Sequence, residues 1–179
     1  MRIRNICLTP LILSSLIILI LLSSACTNKV DTAKELERGE RLLNNDSAQL
    51  SVEIFSELIS INDTCYNCYL DRGIAYKKLG DYNNALKDFT SLTVINKNNF
   101  IGFANTAAIY YLKDDCENSL KYFQKAFELD TSRKNFYNPI SHMLFFTGKK
   151  DEACKYYSMA MAAGYTSFNS EIVDYCKGK

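Results

Sequence analysis

The sequence predicts an all-α fold: an α-solenoid of about four helix-turn-helix repeats with a C-terminal capping helix. Two columns of residues recur every 34 positions, a spacing typical of stacked supersecondary units. The first column is small (Gly39, Gly73, Ala107, Ser141), and the second is aromatic (Phe55, Phe89, Phe123, Tyr157). Composition agrees, since only seven Gly and two Pro argue against a loop-rich or all-β fold.

Residues 1–25 predict an export signal. Arg2 and Arg4 supply a positive start, an apolar run extends to Leu22, and small residues then lead into Cys26. A signal peptidase needs such small side chains, because the segment before the cut lies extended in a narrow active site. The alternatives are an uncleaved transmembrane anchor and an ordinary secretory signal in which the cysteine is accidental.

The cysteine that follows these small residues resembles the lipobox of bacterial lipoproteins, in which the thiol receives a diacylglycerol. The resemblance implies that residues 1–25 are a lipoprotein signal peptide, that Cys26 is lipidated, and that residues 26–31 form a tether. No Asp follows Cys26 directly and no acidic cluster comes after it. By resemblance to bacterial sorting rules, this implies attachment to the outer membrane, facing the periplasm.

The 34-residue period divides the next part of the chain into repeats. The units are 32–65, 66–99, 100–133 and 134–167. Each unit is expected to contain two helices joined by a turn. In the third unit, apolar residues at helical spacing cover 101–112, the turn lies at 114–115, and a second amphipathic stretch covers 117–129.

The second unit carries the most regular motif. Its residues are Gly73-x-x-Tyr76-x-x-x-Gly80-Asp81-Tyr82-x-x-Ala85-x-x-x-Phe89. This motif resembles the tetratricopeptide repeat, and the resemblance covers residues 32–167. It implies a right-handed solenoid in which small residues at the eighth and twentieth places let paired helices approach closely. The aromatic residue at the twenty-fourth place fills the gap to the next unit. The alternative is a non-repetitive helical bundle.

Residues 168–179 predict a short capping helix and tail, with Ser167 as its N-cap. Cys154 lies in the second helix of the fourth unit, and Cys176 lies in the helix expected to fold back on it. Because disulfides persist in exported proteins, we predict a Cys154–Cys176 disulfide. It closes a loop of about twenty residues and is expected to contribute roughly 3 kcal/mol. Two buried thiols are the alternative.

Cys65-Tyr66-Asn67-Cys68 is the motif with the most chemical character. Two cysteines at a helix N-terminus can form a redox pair, but the βαβ context of thioredoxin is absent. A haem motif needs His where Tyr69 stands, and a zinc site needs a second pair of ligands. We therefore predict a structural or incidental pair, and the alternative is a periplasmic thiol–disulfide protein that uses Cys65 and Cys68. Cys116 is expected to act as a small hydrophobic residue.

The composition also limits the classes of function. The chain has one His, no Gly-rich phosphate loop and no nucleophile motif, so we predict no catalytic residues, no enzyme activity, no metal, no cofactor and no small-molecule substrate. Lys and Arg number 21 and Asp and Glu number 20, so no basic surplus exists for a phosphate backbone. Nucleic acid is therefore not an expected partner.

The remaining candidate for a functional site is the concave face of the solenoid. In the family that the chain resembles, the first helix of each repeat lines this face. Carried over to this chain, the groove residues are Asn67, Leu70, Ile74, Lys77, Ala108, Tyr111, His142 and Phe145. The expected function is a lipid-anchored periplasmic protein that mediates protein–protein interaction and binds another protein or a peptide. A structural subunit of an outer-membrane assembly or secretion complex is a further alternative. Packing of the apolar groove residues inside the solenoid is equally compatible with the sequence.

Overall fold

A computed structural model of the chain describes residues 31–178. Contacts between Cα atoms group the described residues from Lys34 onward into one compact unit. The predicted signal peptide and the predicted lipidation site, Cys26, lie outside the described residues. Within 31–178, no helix has the length and apolar character needed to cross a membrane.

Nine α-helices make up the described part of the chain. They are α1 (Thr32–Asn44), α2 (Ala48–Ile61), α3 (Tyr66–Lys78), α4 (Tyr82–Ile95), α5 (Phe100–Leu112), α6 (Cys116–Leu129), α7 (Tyr137–Phe146), α8 (Lys150–Ala162) and α9 (Ser170–Lys177). A short 3-10 helix, Lys134–Phe136, precedes α7. From α2 onward, each helix packs against the next in sequence. The predicted all-α fold of helix-turn-helix pairs is confirmed.

The turn between the two helices of each pair contains one residue with positive φ. These residues are Asp46 (57°), Gly80 (76°), Asp114 (58°) and Gly148 (84°). They stand 34 positions apart, so the backbone turn repeats even where the side chain does not. Glycine adopts this conformation freely, whereas most other residues pay roughly 1–2 kcal/mol and Asp is among the better tolerated. Repeats one and three therefore make the same turn with a less favourable residue.

The small column permits close helix approach. A Cβ atom placed on Gly39 would lie 2.6 Å from Cε1 of Phe55, and one on Gly73 would lie 2.6 Å from Cε1 of Phe89. Both rings are fully buried. The predicted close approach is therefore present in repeats one and two, and each aromatic ring fills the space left by the glycine of its own repeat.

A buried hydroxyl group also links the paired helices in three repeats. Ser51 Oγ donates to the Gly39 carbonyl at 3.1 Å, and Ser119 Oγ donates to the Ala107 carbonyl at 3.0 Å. In repeat four the direction is reversed, because Ser141 Oγ on the first helix donates to the Ala153 carbonyl at 2.9 Å. Repeat two has Gly73 and Ala85 at these places and lacks a hydroxyl group there.

A buried ion pair inside repeat two also contacts repeat one through its arginine. Arg72 on α3 donates from Nε and Nη2 to both carboxylate oxygens of Asp88 on α4, at 2.8 and 2.7 Å. Its Nη1 donates to Ser56 Oγ on α2 at 3.0 Å. The two charged side chains are 17% and 5% exposed. One guanidinium group therefore connects three helices of two repeats.

Repeats three and four are joined by aromatic rings instead. Phe136, 4% exposed, has its ring centroid 6.0 Å from those of both Phe100 and Phe123. Beside it, the rings of Phe127 and Tyr137 lie 5.5 Å apart. Phe123 and Phe136 belong to the largest buried cluster of the described chain, which extends from α5 to α9, and Phe100 and Phe127 pack against it.

The capping helix closes this cluster. Ile172 is 1% exposed, and a disulfide joins Cys154 of α8 to Cys176 of α9. The helix begins later than the sequence suggests, because Asn169 is its N-cap and accepts from the Glu171 N–H at 2.9 Å. The prediction of Ser167 as N-cap is therefore wrong. Its carbonyl instead accepts a 3.4 Å hydrogen bond from the side chain of Asn138 on α7.

Candidate functional site

A groove lies where repeats three and four meet. Its first cavity has a volume of about 450 Å³. It is lined by Ala108, Tyr111, Phe123, Asn138, Pro139, His142, Ser167, Phe168 and Asn169. Two first helices and the segment before the capping helix therefore meet at one concave place, which is the usual form of a ligand site.

Helix periodicity explains how these side chains come together. Ala108 and Tyr111 are three residues apart on α5, and Asn138 and His142 are four residues apart on α7. Residues at these separations share one helix face. Pro139 is tolerated on α7 because it lies in the first turn, where its missing N–H would have no helical partner.

A second cavity, of about 380 Å³, adjoins the first. Its lining consists of Tyr111, Leu112, Asp114, Cys116, His142 and Phe146. Tyr111 and His142 line both cavities, and their rings meet edge to face with centroids 5.5 Å apart. The ring of Phe146 lies 4.5 Å from that of His142. The two cavities are thus neighbours separated by one aromatic pair.

The wall of the second cavity is apolar and open to solvent. Tyr111, Leu112 and Phe146 are 45%, 44% and 44% exposed. Single exposed apolar side chains are ordinary on protein surfaces, but a contiguous group beside a cavity marks an interaction surface. These three residues offer apolar and aromatic contact, and Asp114 adds a carboxylate to the lining.

His142 is the titratable group shared by the two cavities. Its Nδ1 is buried and has no hydrogen-bond partner among the described residues. Burial lowers the pKa of His142 below its usual value of 6.5. The imidazole is therefore neutral at pH 7, and the wall between the cavities carries no charge from it.

The structure brings together part of the predicted groove. Ala108, Tyr111 and His142 line the first cavity as the sequence indicates. Phe145 does not: it is 6% exposed, and its ring packs 5.8 Å from that of Tyr175 on the capping helix. The expectation that Phe145 lines the groove is therefore wrong, because this side chain belongs to the core. The Phe145 side chain packs toward α9, the helix that covers the apolar face of the last repeat.

The predicted residues of repeat two lie apart from these cavities. They are Asn67, Leu70, Ile74 and Lys77, none of which lines either one. Leu70 and Ile74 are partly buried against a hydrophobic cluster. Also on α3, burial and the negative charge of Glu40 on α1 raise the pKa of Asp71 to about 6. This half of the chain therefore differs in chemistry from the groove of repeats three and four.

Sequence reasoning missed several lining residues. Leu112 and Phe146 were not predicted, although they stand 34 positions apart where repeat two has Lys78. The change from a cation in repeat two to apolar residues in repeats three and four could have identified these two positions from the sequence. The segment 167–169 gave no such signal, because its place beside α7 depends on how the chain returns to form the cap.

The motif Cys65-Tyr66-Asn67-Cys68 is closed by a disulfide between its two cysteines. Cys65 is the N-cap of α3, and its Sγ accepts from the Cys68 N–H at 3.3 Å. Cys68 is 2% exposed and belongs to the core between repeats one and two. The pair thus defines how α3 begins. Across 31–178, His, Cys, Asp and Glu form no cluster able to hold a metal ion.

Comparisons with known proteins agree with this architecture. A family model described as "Tetratricopeptide repeat" matches residues 66–99. The outer dynein arm-docking complex subunit 4 of Danio rerio is 32% identical over 101 residues, which cover 56% of this chain and 21% of that protein. This chain therefore spans about a fifth of that relative's length.

Several solved structures share the fold at low identity. MamA from Desulfovibrio magneticus superposes with a TM-score of 0.69 at 17% identity, covering 75% of this chain and 76% of that one. YrrB, described as a TPR protein with an unusual peptide-binding site, has a TM-score of 0.68 at 16% identity, covering 79% and 73%. The chain therefore contains a tetratricopeptide repeat and has the fold of tetratricopeptide repeat proteins.

Proposed function

We propose that this chain is a protein-interaction module, a scaffold or assembly factor of the bacterial cell envelope. A lipid on Cys26 anchors it in the outer membrane, and its repeats face the periplasm. The observation that carries the interaction role is the groove of repeats three and four, where exposed Tyr111, Leu112 and Phe146 border two adjoining cavities. The lipobox-like end of the N-terminal segment supports the anchor.

The groove suits a peptide segment of another protein. Its two cavities, about 450 and 380 Å³, are concave and large enough to take one or more side chains each, unlike an extended flat interface. A few desolvated aromatic residues usually carry most of the energy of such an interface, while rim charges carry little. Tyr111 is the residue expected to contribute most, because it borders both cavities.

The binding role is tested by Tyr111→Ala. Partners are first captured by crosslinking in the native envelope and identified by mass spectrometry. We expect Tyr111→Ala to weaken binding of the captured partner by about tenfold or more, with an unchanged melting temperature. Lys87→Ala is the matched control, since Lys87 is exposed on α4 and its Nζ donates to Asn84 of its own helix at 3.3 Å. Full retention of the partner by a stable Tyr111→Ala variant, with loss in Lys87→Ala, would place binding on the outer helices.

The anchor is tested separately by Cys26→Ser. The variant should remain unacylated and be released from the membrane fraction. Wild-type protein that shows no acyl mass on Cys26, or a variant that pellets with membranes at the same mass as wild type, contradicts the anchor. Neither result bears on the groove.

A further inference from the structure

We propose that the groove of repeats three and four binds a peptide segment in which an uncharged apolar side chain lies within a few residues of a lysine or arginine. This inference rests on the proposed function and adds the chemical class of the ligand. It follows from the different linings of the two cavities that share Tyr111 and His142.

The first cavity suits an uncharged side chain. Its lining contains Phe123, Pro139 and Phe168 together with amide and hydroxyl groups, and no Asp, Glu, Lys or Arg. Burying a charged group against such a surface would leave the charge without a partner, at a cost of several kcal/mol. An apolar side chain removes its own surface and that of the rings from water, which is favourable.

The second cavity suits a cation. Asp114 supplies the only carboxylate of its lining, and Tyr111 and Phe146 supply exposed rings. A lysine or arginine gains from a carboxylate and from the electron-rich face of an aromatic ring at the same time. Neutral His142 does not oppose a cation, because burial lowers its pKa.

The surroundings of Asp114 strengthen this preference. An adjoining surface depression is lined by Asp114, Asp115 and Glu117, with Lys113 as the one cation of its lining. The Nζ of Lys113 donates to Asn83 Oδ1 of repeat two at 2.8 Å, so this cation is held by a neighbour. The charge balance at this end of the groove is negative, and it complements a basic segment.

The backbone at Asp114 allows a clean test. Its φ is 58°, a conformation that Asn tolerates as well as Asp does. Asp114→Asn therefore removes the charge and keeps the turn. Asp46 has the same turn in repeat one, with φ 57°. Asp46→Asn is the matched control, because it makes the same chemical change away from the groove.

The probes are fluorescein-labelled peptides in which Leu and Arg are separated by one to three Ser residues. Each has partners with Gln or Glu in place of Arg, and binding is followed by fluorescence anisotropy. In the best spacing, the Arg peptide should bind about fivefold more tightly than the Gln peptide, and the Glu peptide should bind least. Asp114→Asn should abolish the difference between Arg and Gln, and Asp46→Asn should leave it intact.

Three results would overturn the proposal: equal binding of the Arg and Gln peptides, no binding of any peptide in the panel, or an undiminished Arg preference in Asp114→Asn. The captured native partner separates this failure from that of the proposed function. If Tyr111→Ala loses that partner while the peptide panel shows no Arg preference, the groove binds proteins and only the ligand class is wrong. If a stable Tyr111→Ala variant retains that partner and the panel also shows no Arg preference, the groove is not the binding surface and both ideas about it fail.

Discussion

The junction of repeats one and two and the junction of repeats three and four use the same helical frame with opposite chemistry. The first is held by Arg72, which bonds to Asp88 and Ser56 in the interior. The second is held by rings around Phe136, and the apolar character continues outward to exposed Tyr111 and Phe146. A sealed ionic junction offers little surface to a partner, whereas an aromatic junction that reaches solvent offers a binding surface. The difference teaches that the candidate site of this chain lies where the residues depart from the repeat pattern.

The largest expected effect concerns the ionic junction. Arg72→Met should leave the Asp88 carboxylate buried without its cation and lower the free energy of unfolding by about 3–5 kcal/mol. Chemical denaturation measures this. The double variant Arg72→Met with Asp88→Leu should recover most of the loss, because no unpaired charge remains. If Arg72→Met alone lowers the free energy of unfolding by less than about 1 kcal/mol, the contrast between the two junctions is wrong, since apolar contact would then hold both. As a counterpart, Phe136→Leu should cost only about 1 kcal/mol, because it leaves no charge unpaired.

The next effect belongs to the aromatic half alone. Replacing Cys154 and Cys176 by Ala should lower the free energy of unfolding by about 3 kcal/mol through the freer unfolded chain. The cap also covers Phe145, so the variant should expose that ring and bind a hydrophobic dye more strongly. Replacing Cys65 and Cys68 by Ala is the control in the other half, and it should cost less because its loop spans only three residues. Equal costs for the two pairs would contradict this account.

A smaller effect sharpens the comparison at the turns. Asp46→Gly should stabilise the protein by about 1 kcal/mol, because glycine adopts a positive φ without steric cost. Gly148→Asp makes the reverse change in repeat four and should destabilise it by a similar amount. Thermal melting measures both. A destabilised Asp46→Gly variant would show that the 3.7 Å contact between Lys78 Nζ and the Asp46 carboxylate matters more than the backbone conformation.

The smallest effect depends on pH. Burial and Glu40 raise the pKa of Asp71 to about 6 in the folded protein. Because the folded state holds this proton more tightly than the unfolded state, the contribution is fully present below about pH 4 and is lost as pH rises through about 6. Asp71→Asn should therefore match wild type near pH 4 and be more stable by about 1 kcal/mol near pH 7.5, after allowance for partial exposure.

Glu40→Gln is the matched control for this prediction. Removing the neighbouring charge should lower the pKa of Asp71 and reduce the advantage of Asp71→Asn at neutral pH. A stability difference between Asp71→Asn and wild type that stays constant from acid to neutral pH would show that the carboxyl is not perturbed.

Much of the fold could be predicted because it follows from residues that recur at a fixed period. Gly39 and Gly73 recur because each leaves room for an aromatic ring, and the glycine and the aromatic residue both repeat every 34 positions in the sequence. The start of the capping helix was predicted less well. Both Ser167 and Asn169 can cap a helix, and the contact of the Ser167 carbonyl with Asn138 is a long-range feature.

The candidate site was predicted in part for a related reason. Tyr111 and His142 occupy places that the repeat pattern assigns to the concave face, and they line both cavities. Phe145 occupies such a place too, but it faces the capping helix, whose position no periodicity specifies. Leu112, Phe146 and Asp114 escaped prediction because their importance comes from being neighbours in space.

The sequence by itself determined the repeat length, the helix pairs and the close contacts of the small column. Each depends on residues within one unit, where local sterics and helical spacing act over few residues. Only the tertiary structure decided which apolar residues remain exposed, which charges are paired in the interior, and where the cavities lie. Those properties depend on how adjacent units and the cap pack, because packing decides which side chains of different units become neighbours in space.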